Sequence, residues 1–244
     1  QVLMEAGRAS FESGHYGDAI QTWENAMKLD PDNTDILIPL ATAHQRLAQF
    51  DMSTQLLQRA AEKSDNPIEA YFMIARNHIL VGDFESAQNT CSRLETMMPP
   101  DYRLIVLKGD IASFKGSYHE GELLYQQAIG LDSQRSDAYF KLAASLLVQE
   151  QEKRADNYYR QAVDIGEQST AQYWLHRAEY LALKGDADNA EAAMKQALKL
   201  QPDDFLIKLK ICQLLLSYKK YDELLKFLGE PVDFSAENPA IQKI

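Results

Sequence analysis

His44 and His78 stand 34 residues apart. Two imidazoles so spaced, if they occupy equivalent places on neighbouring helices, could begin a zinc site, which needs four protein ligands or three and a water. The nearby thiol Cys91 falls at a packing place of a different helix. The expectation is therefore that no metal is held and that both histidines replace larger packing side chains. His15 and His119 fall in turns, and His176 is alone on its helix. The carboxylate pairs Asp203 with Asp204 and Glu150 with Glu152 lie at helix starts or turns, where acids suit the positive end of a helix dipole or solvent. There is no phosphate-cradling glycine loop, no Gly-x-Ser-x-Gly and no His-Glu-x-x-His. The sequence thus points to no catalytic residue, no cofactor and no metal, and predicts that this chain is not an enzyme.

The elements that must position any functional side chain repeat with a fixed period. Gly14-x-Tyr16, Gly82-x-Phe84 and Gly116-x-Tyr118 align at separations of 68 and 34 residues, so the period is 34. The units are 1–33, 34–67, 68–101, 102–135, 136–170, 171–204 and 205–231, with one residue inserted around Gly166 to Thr170 and a tail or start of a further helix at 232–244. Each unit reads as helix, tight turn, helix. Small residues fill the eighth place (Gly7, Ala41, Ala75, Gly109, Ala143, Ala178), where helix axes can approach closely. The twentieth place is small too, and so is the twenty-seventh apart from Leu94, until Leu224 and Pro231 make the seventh unit degenerate and the weakest of the series. Bulky partners such as Trp23, Leu57, Tyr125 and Tyr159 face them. Gly14, Gly82, Gly116 and Gly185 permit the positive φ that ends a first helix, and Pro31, Pro99 and Pro202 stop the second.

Charge and composition narrow the partners. The net charge of −11 opposes nucleic-acid binding, which needs a basic surface. The first three units hold −8 of it, so a basic or neutral partner fits that end best. No apolar run approaches the roughly 18 to 20 residues that span a bilayer, and a soluble chain is expected. Two cysteines, Cys91 and Cys212, sit hairpins apart, too far for a disulfide. They fit the cytoplasm without excluding the periplasm. A start at Gln1 and a final Asn238-Pro239-Ala240-Ile241 suggest a segment of a longer protein.

The pattern resembles the tetratricopeptide repeat family over residues 1 to about 231. It is carried by Gly7, Gly14, Tyr16, Ala19, Trp23, Ala26 and Pro31 in the first unit and Trp174, Gly185, Ala190, Ala197 and Pro202 in the sixth. The resemblance implies an all-α, right-handed superhelical solenoid of about seven hairpins. In it first helices line a concave groove that binds a peptide or partner subunit. Some members grip a partner's terminal carboxylate with Lys in the fifth place and Asn in the ninth. Here no fifth-place residue is Lys and no ninth-place residue is Asn, which disfavours that clamp.

If first helices line the groove, the fifth place points into it, and its residues are Met4, Ile38, Phe72, Val106, Phe140, Leu175 and Leu209, all apolar. The row either forms an exposed strip for a partner or packs between adjacent first helices, and the sequence leaves both open. Polar residues one turn on, Arg8, Arg76, Asp110 and Glu179, with Arg46 and Lys141, could orient a partner's polar groups. Phe72 and Phe140 are the expected anchors. The expected function is a protein-binding scaffold or adaptor. A targeting arm of a larger enzyme or envelope-assembly machine is the second reading, and homo-oligomerisation through the repeat ends the third.

Overall fold

The computed structural model describes residues 2–31, 33–202 and 204–228, and these form fourteen α-helices with no strand. The helices come as seven consecutive antiparallel pairs: α1 (Val2–Glu12) with α2 (Tyr16–Leu29), α3 (Thr34–Arg46) with α4 (Phe50–Lys63), α5 (Ile68–Leu80) with α6 (Phe84–Met97), α7 (Tyr102–Phe114) with α8 (Tyr118–Leu131), α9 (Ser136–Val148) with α10 (Glu152–Ile165), α11 (Ala171–Leu183) with α12 (Ala187–Leu200), and α13 (Phe205–Ser217) with α14 (Tyr221–Leu228). They group into two compact units, α1–α6 and α7–α14.

One turn recurs in all seven pairs. Its fifteenth residue has positive φ whether it is glycine (Gly14, Gly82, Gly116, Gly185) or not (Ala48, Glu150, Lys219). The following amide bonds back five residues to the first helix, as in His15 N to Ser10 O at 2.9 Å, Asp83 N to His78 O at 2.8 Å and Gln151 N to Leu146 O at 2.9 Å. That six-to-one bond is the Schellman closure, which satisfies a helix-end carbonyl and reverses the chain. The glycines therefore marked a real turn, and three units build it without one.

Within each pair the small places do what their size permits. A Cβ at Gly7 would lie 2.3 Å from Trp23 Nε1, and one at Gly109 would lie 2.6 Å from the Tyr125 ring. Ala19, Ser53, Ala87, Ala155 and Ala190, all at the twentieth place, are fully buried. Burying a bulky partner such as Leu57 contributes about 1.5–3 kcal/mol.

In the first unit a buried amide also joins consecutive pairs. Asn77 on α5 donates to Ser53 Oγ at 3.1 Å and Thr54 Oγ1 at 3.0 Å on α4, and accepts from Gln45 Nε2 on α3 at 2.6 Å. In the second unit three apolar clusters run through the stack, including the stacked rings of Tyr159 and Tyr180, 4.1 Å apart. Leu224 on α14 is half-buried against the last cluster, and Pro231 lies outside the described residues.

Candidate functional site

The first helices of the first two pairs frame an open concavity of about 730 Å³, lined by Met4, Glu5, Arg8, Asn33, Asp35, Ile38 and Pro39. Gly7 lets α1 settle against Trp23, whose indole donates to Met4 O at 3.4 Å. The start of α3 is fixed by Asn33, whose Oδ1 accepts from Asp35 N at 3.0 Å. The floor is apolar, from half-buried Met4, Ile38 and Pro39, and the exposed Glu5, Arg8 and Asp35 form a charged rim. Volume and lining suit a side chain or a short run of chain. The concavity brings together three of the expected groove residues, Met4, Arg8 and Ile38.

The rest of the fifth-place row is placed differently. Phe72, Val106, Phe140 and Leu175 are buried, and Leu209 is half-buried. Phe140, at 1% exposure, lies edge-on to Tyr159 and Tyr173 and stacks near His176 on α11. A ring so enclosed is a core residue, which corrects the expectation of Phe72 and Phe140 as exposed anchors. The physical reason is visible at Phe140, where α11, the next first helix of the same unit, covers the place with Tyr173 and His176. Arg76 is exposed on α5.

The ninth-place acids are also engaged by the stack. Asp110 accepts from Lys141 Nζ at 2.7 Å and from Tyr125 OH at 2.9 Å, and Glu179 pairs with Lys210 and with His176. Although burial favours a neutral amine, the Asp110 carboxylate holds the Lys141 ammonium above its usual pKa. Burial would likewise raise the Glu179 pKa, yet Lys210 and His176 hold it well below the carboxylate range. On the second helices Glu122 accepts from Arg154, and Glu152 and Asp156 from Lys184, each across a pair-to-pair junction. These side chains join successive repeats.

An exposed row that the fifth-place reading passed over occupies the thirteenth place. Phe114, Val148 and Leu183, at the ends of α7, α9 and α11, are 64%, 44% and 52% exposed, and Leu80 holds the same place on α5 in the first unit. The signal was present in the sequence, because these apolar residues recur one period apart.

The histidine pair is committed locally. His44 Nδ1 lies 2.6 Å from Gln49 Oε1, and His78 Nδ1 lies 3.7 Å from Asp83 Oδ2. Among the described residues no group of three or more His, Cys, Asp or Glu is arranged to hold a metal. Cys91 is buried and Cys212 half-buried, and neither is in a disulfide. No helix among the described residues is long and apolar enough to cross a membrane.

Paired helices closed by one recurrent turn, with small residues under bulky ones at a period of 34, define an all-α solenoid of helical-hairpin repeats. The chain belongs to the tetratricopeptide repeat family, which matches residues 10–70 in one form and 102–135 and 171–204 in another. It is similar to a solved tetratricopeptide repeat protein from Parabacteroides merdae, with a TM-score of 0.72 and 16% identity over 88% of this chain and 83% of that one. It is also similar to pilF of Pseudomonas aeruginosa, with a TM-score of 0.56 and 16% identity over 88% and 96% of the two chains. These likenesses carry the fold alone. In sequence it is 20% identical over 224 residues to the Homo sapiens protein O-mannosyl-transferase TMTC1, covering 92% of this chain and 22% of that protein's length. The family implies a protein–protein interaction scaffold, a fold that is typically non-catalytic.

Proposed function

We propose that this chain is a scaffold that binds a partner polypeptide on the face formed by its first helices, with the α1–α3 concavity as the principal contact. The observation that carries the reading is the convergence of Met4, Arg8 and Ile38 on one open recess with an apolar floor and a charged rim. In the second unit the exposed row of Phe114, Val148 and Leu183 supports the same use of first helices. Extended or helical segments dock on such surfaces through alternate apolar anchors.

Random dodecapeptides displayed on phage and selected on the full chain test this reading. The expected result is a set of binders lost on Ile38→Asp or Met4→Asp and retained on Glu24→Ala, a change on the exposed face of α2. Binders indifferent to Ile38 and Met4 would overturn it.

A second reading draws on the likeness to protein O-mannosyl-transferase TMTC1, of which the chain spans about a fifth. There the repeats would be the targeting arm of a longer enzyme and hold a polypeptide substrate for a catalytic region. The full reading frame decides between the two.

A further inference from the structure

The wall of the α1–α3 concavity carries three features that bear on what enters it. Pro39 lies inside α3, and its ring nitrogen has no hydrogen. The Asp35 carbonyl, one turn earlier, therefore lacks the donor an α-helix normally supplies. Both residues line the concavity, which leaves a backbone acceptor for an N–H from outside. The charge has a definite sign: Glu5 and Asp35 stand against Arg8 in the lining, and residues 1–99 contain 14 acidic and 7 basic side chains. That field concentrates cations at the recess. The floor of Met4, Ile38 and Pro39 takes an aliphatic side chain.

An anionic ligand fits less well. The cap at the start of α3 is already occupied, with Asn33 Oδ1 accepting from Asp35 N and Asn33 Nδ2 donating to Asp30 at 3.0 Å. Among the described residues Arg8 is then the one cation in the lining.

Resting on the reading that a polypeptide occupies this concavity, we infer that the occupant is a basic, extended segment with an aliphatic residue beside a Lys or Arg. The aliphatic side chain sits on Met4, Ile38 and Pro39. The neighbouring cation reaches the Asp35 carboxylate, a backbone N–H of the segment donates to the Asp35 carbonyl, and Arg8 donates to a carbonyl of the segment.

The test uses the full chain and three end-capped, fluorescein-labelled octapeptides: alternating Leu-Lys, alternating Leu-Glu and alternating Ser-Lys. Binding is followed by anisotropy at about 50 and about 200 mM NaCl, because screening of exposed charges separates the ionic from the apolar share. The expected result is that Leu-Lys binds at least about tenfold more tightly than either of the others. Asp35→Asn weakens it roughly threefold or more and flattens its salt dependence. Pro39→Ala gives a readout that a structural proline would not. By restoring the helical N–H it raises the melting temperature, and by covering the Asp35 carbonyl it weakens the Leu-Lys peptide. Unchanged affinity in Pro39→Ala and Asp35→Asn would overturn the inference. Tighter binding of Leu-Glu, lost in Arg8→Ala, would also overturn it while leaving the concavity as a polypeptide site. If Ile38→Asp, checked for a parental circular dichroism spectrum, binds every peptide as the parent does, or if no peptide binds the parent, the concavity reading falls as well.

Discussion

Lys141 Nζ lies 2.7 Å from Asp110 Oδ1, across the junction between two successive hairpins. The same relation, again 31 residues apart, joins Lys210 to Glu179. Asp110 is thus held between the Tyr125 hydroxyl of its own hairpin and an ammonium of the next. Replacing Lys141 with Met keeps most of the volume and leaves the half-buried carboxylate without its cation. The expected loss is about 1–3 kcal/mol. Denaturant midpoints of Lys141→Met, Asp110→Asn and the double variant check this, and the double variant should lose less than the two singles together.

The turn predicts a stabilising change. Ala48 and Glu150 adopt φ of 56° and 59°, where a Cβ is strained. Left-handed backbone costs a non-glycine residue about 1–2 kcal/mol, offset in part by the greater freedom glycine has when unfolded. Glu150→Gly, at an exposed place, should raise stability by about 0.5–1 kcal/mol, whereas at the buried Ala48 the lost methyl offsets the relief. A lower melting temperature in Glu150→Gly would contradict this.

One substitution should act with opposite signs at two sites. Alanine at Gly109 would put Cβ 2.6 Å from the Tyr125 ring, and overpacking of that kind costs about 1–3 kcal/mol. Alanine at the exposed Gly130, late in α8, meets nothing within 4 Å and should gain about 0.5 kcal/mol from helix propensity. Thermal melts of the two variants on either side of the parent are the expected outcome.

Acid should loosen the last junction. Hydrogen bonds from Lys195 and from Lys220 pull the Glu191 pKa down to about 2. The unfolded chain, with a glutamate pKa of about 4.3, takes up the proton earlier. The stabilisation is therefore complete above about pH 5 and is lost as pH falls toward 2. Between pH 6 and pH 3 the parent should lose more of its melting temperature than Glu191→Gln, which lacks the titrating group. Parallel losses would contradict the assignment.

Much of this was legible in the sequence because a 34-residue period fixes which places are equivalent. Gly7 under Trp23, Gly109 under Tyr125 and the turn glycines each follow from a size or backbone requirement that a single residue type reveals. Ala48, Glu150 and Lys219 adopt the same positive φ without glycine, so the motif alone does not disclose them. The burial of Phe140 was not legible, because a period assigns a face and not the distance to the helix that covers it. The ion pairs were half visible. An acid at the ninth place of the fourth and sixth units is followed 31 residues later by Lys141 and Lys210, a pattern that gains its meaning only once the neighbouring helices are side by side.

Docking of a polypeptide on the first helices at the α1–α3 concavity can be read by amide hydrogen exchange of the full chain with and without a selected peptide. The expected result is added protection in α1, residues Val2–Glu12, and α3, residues Thr34–Arg46, with α2 and α4 unchanged. Protection confined to α2 and α4, or to α7–α14, would contradict it.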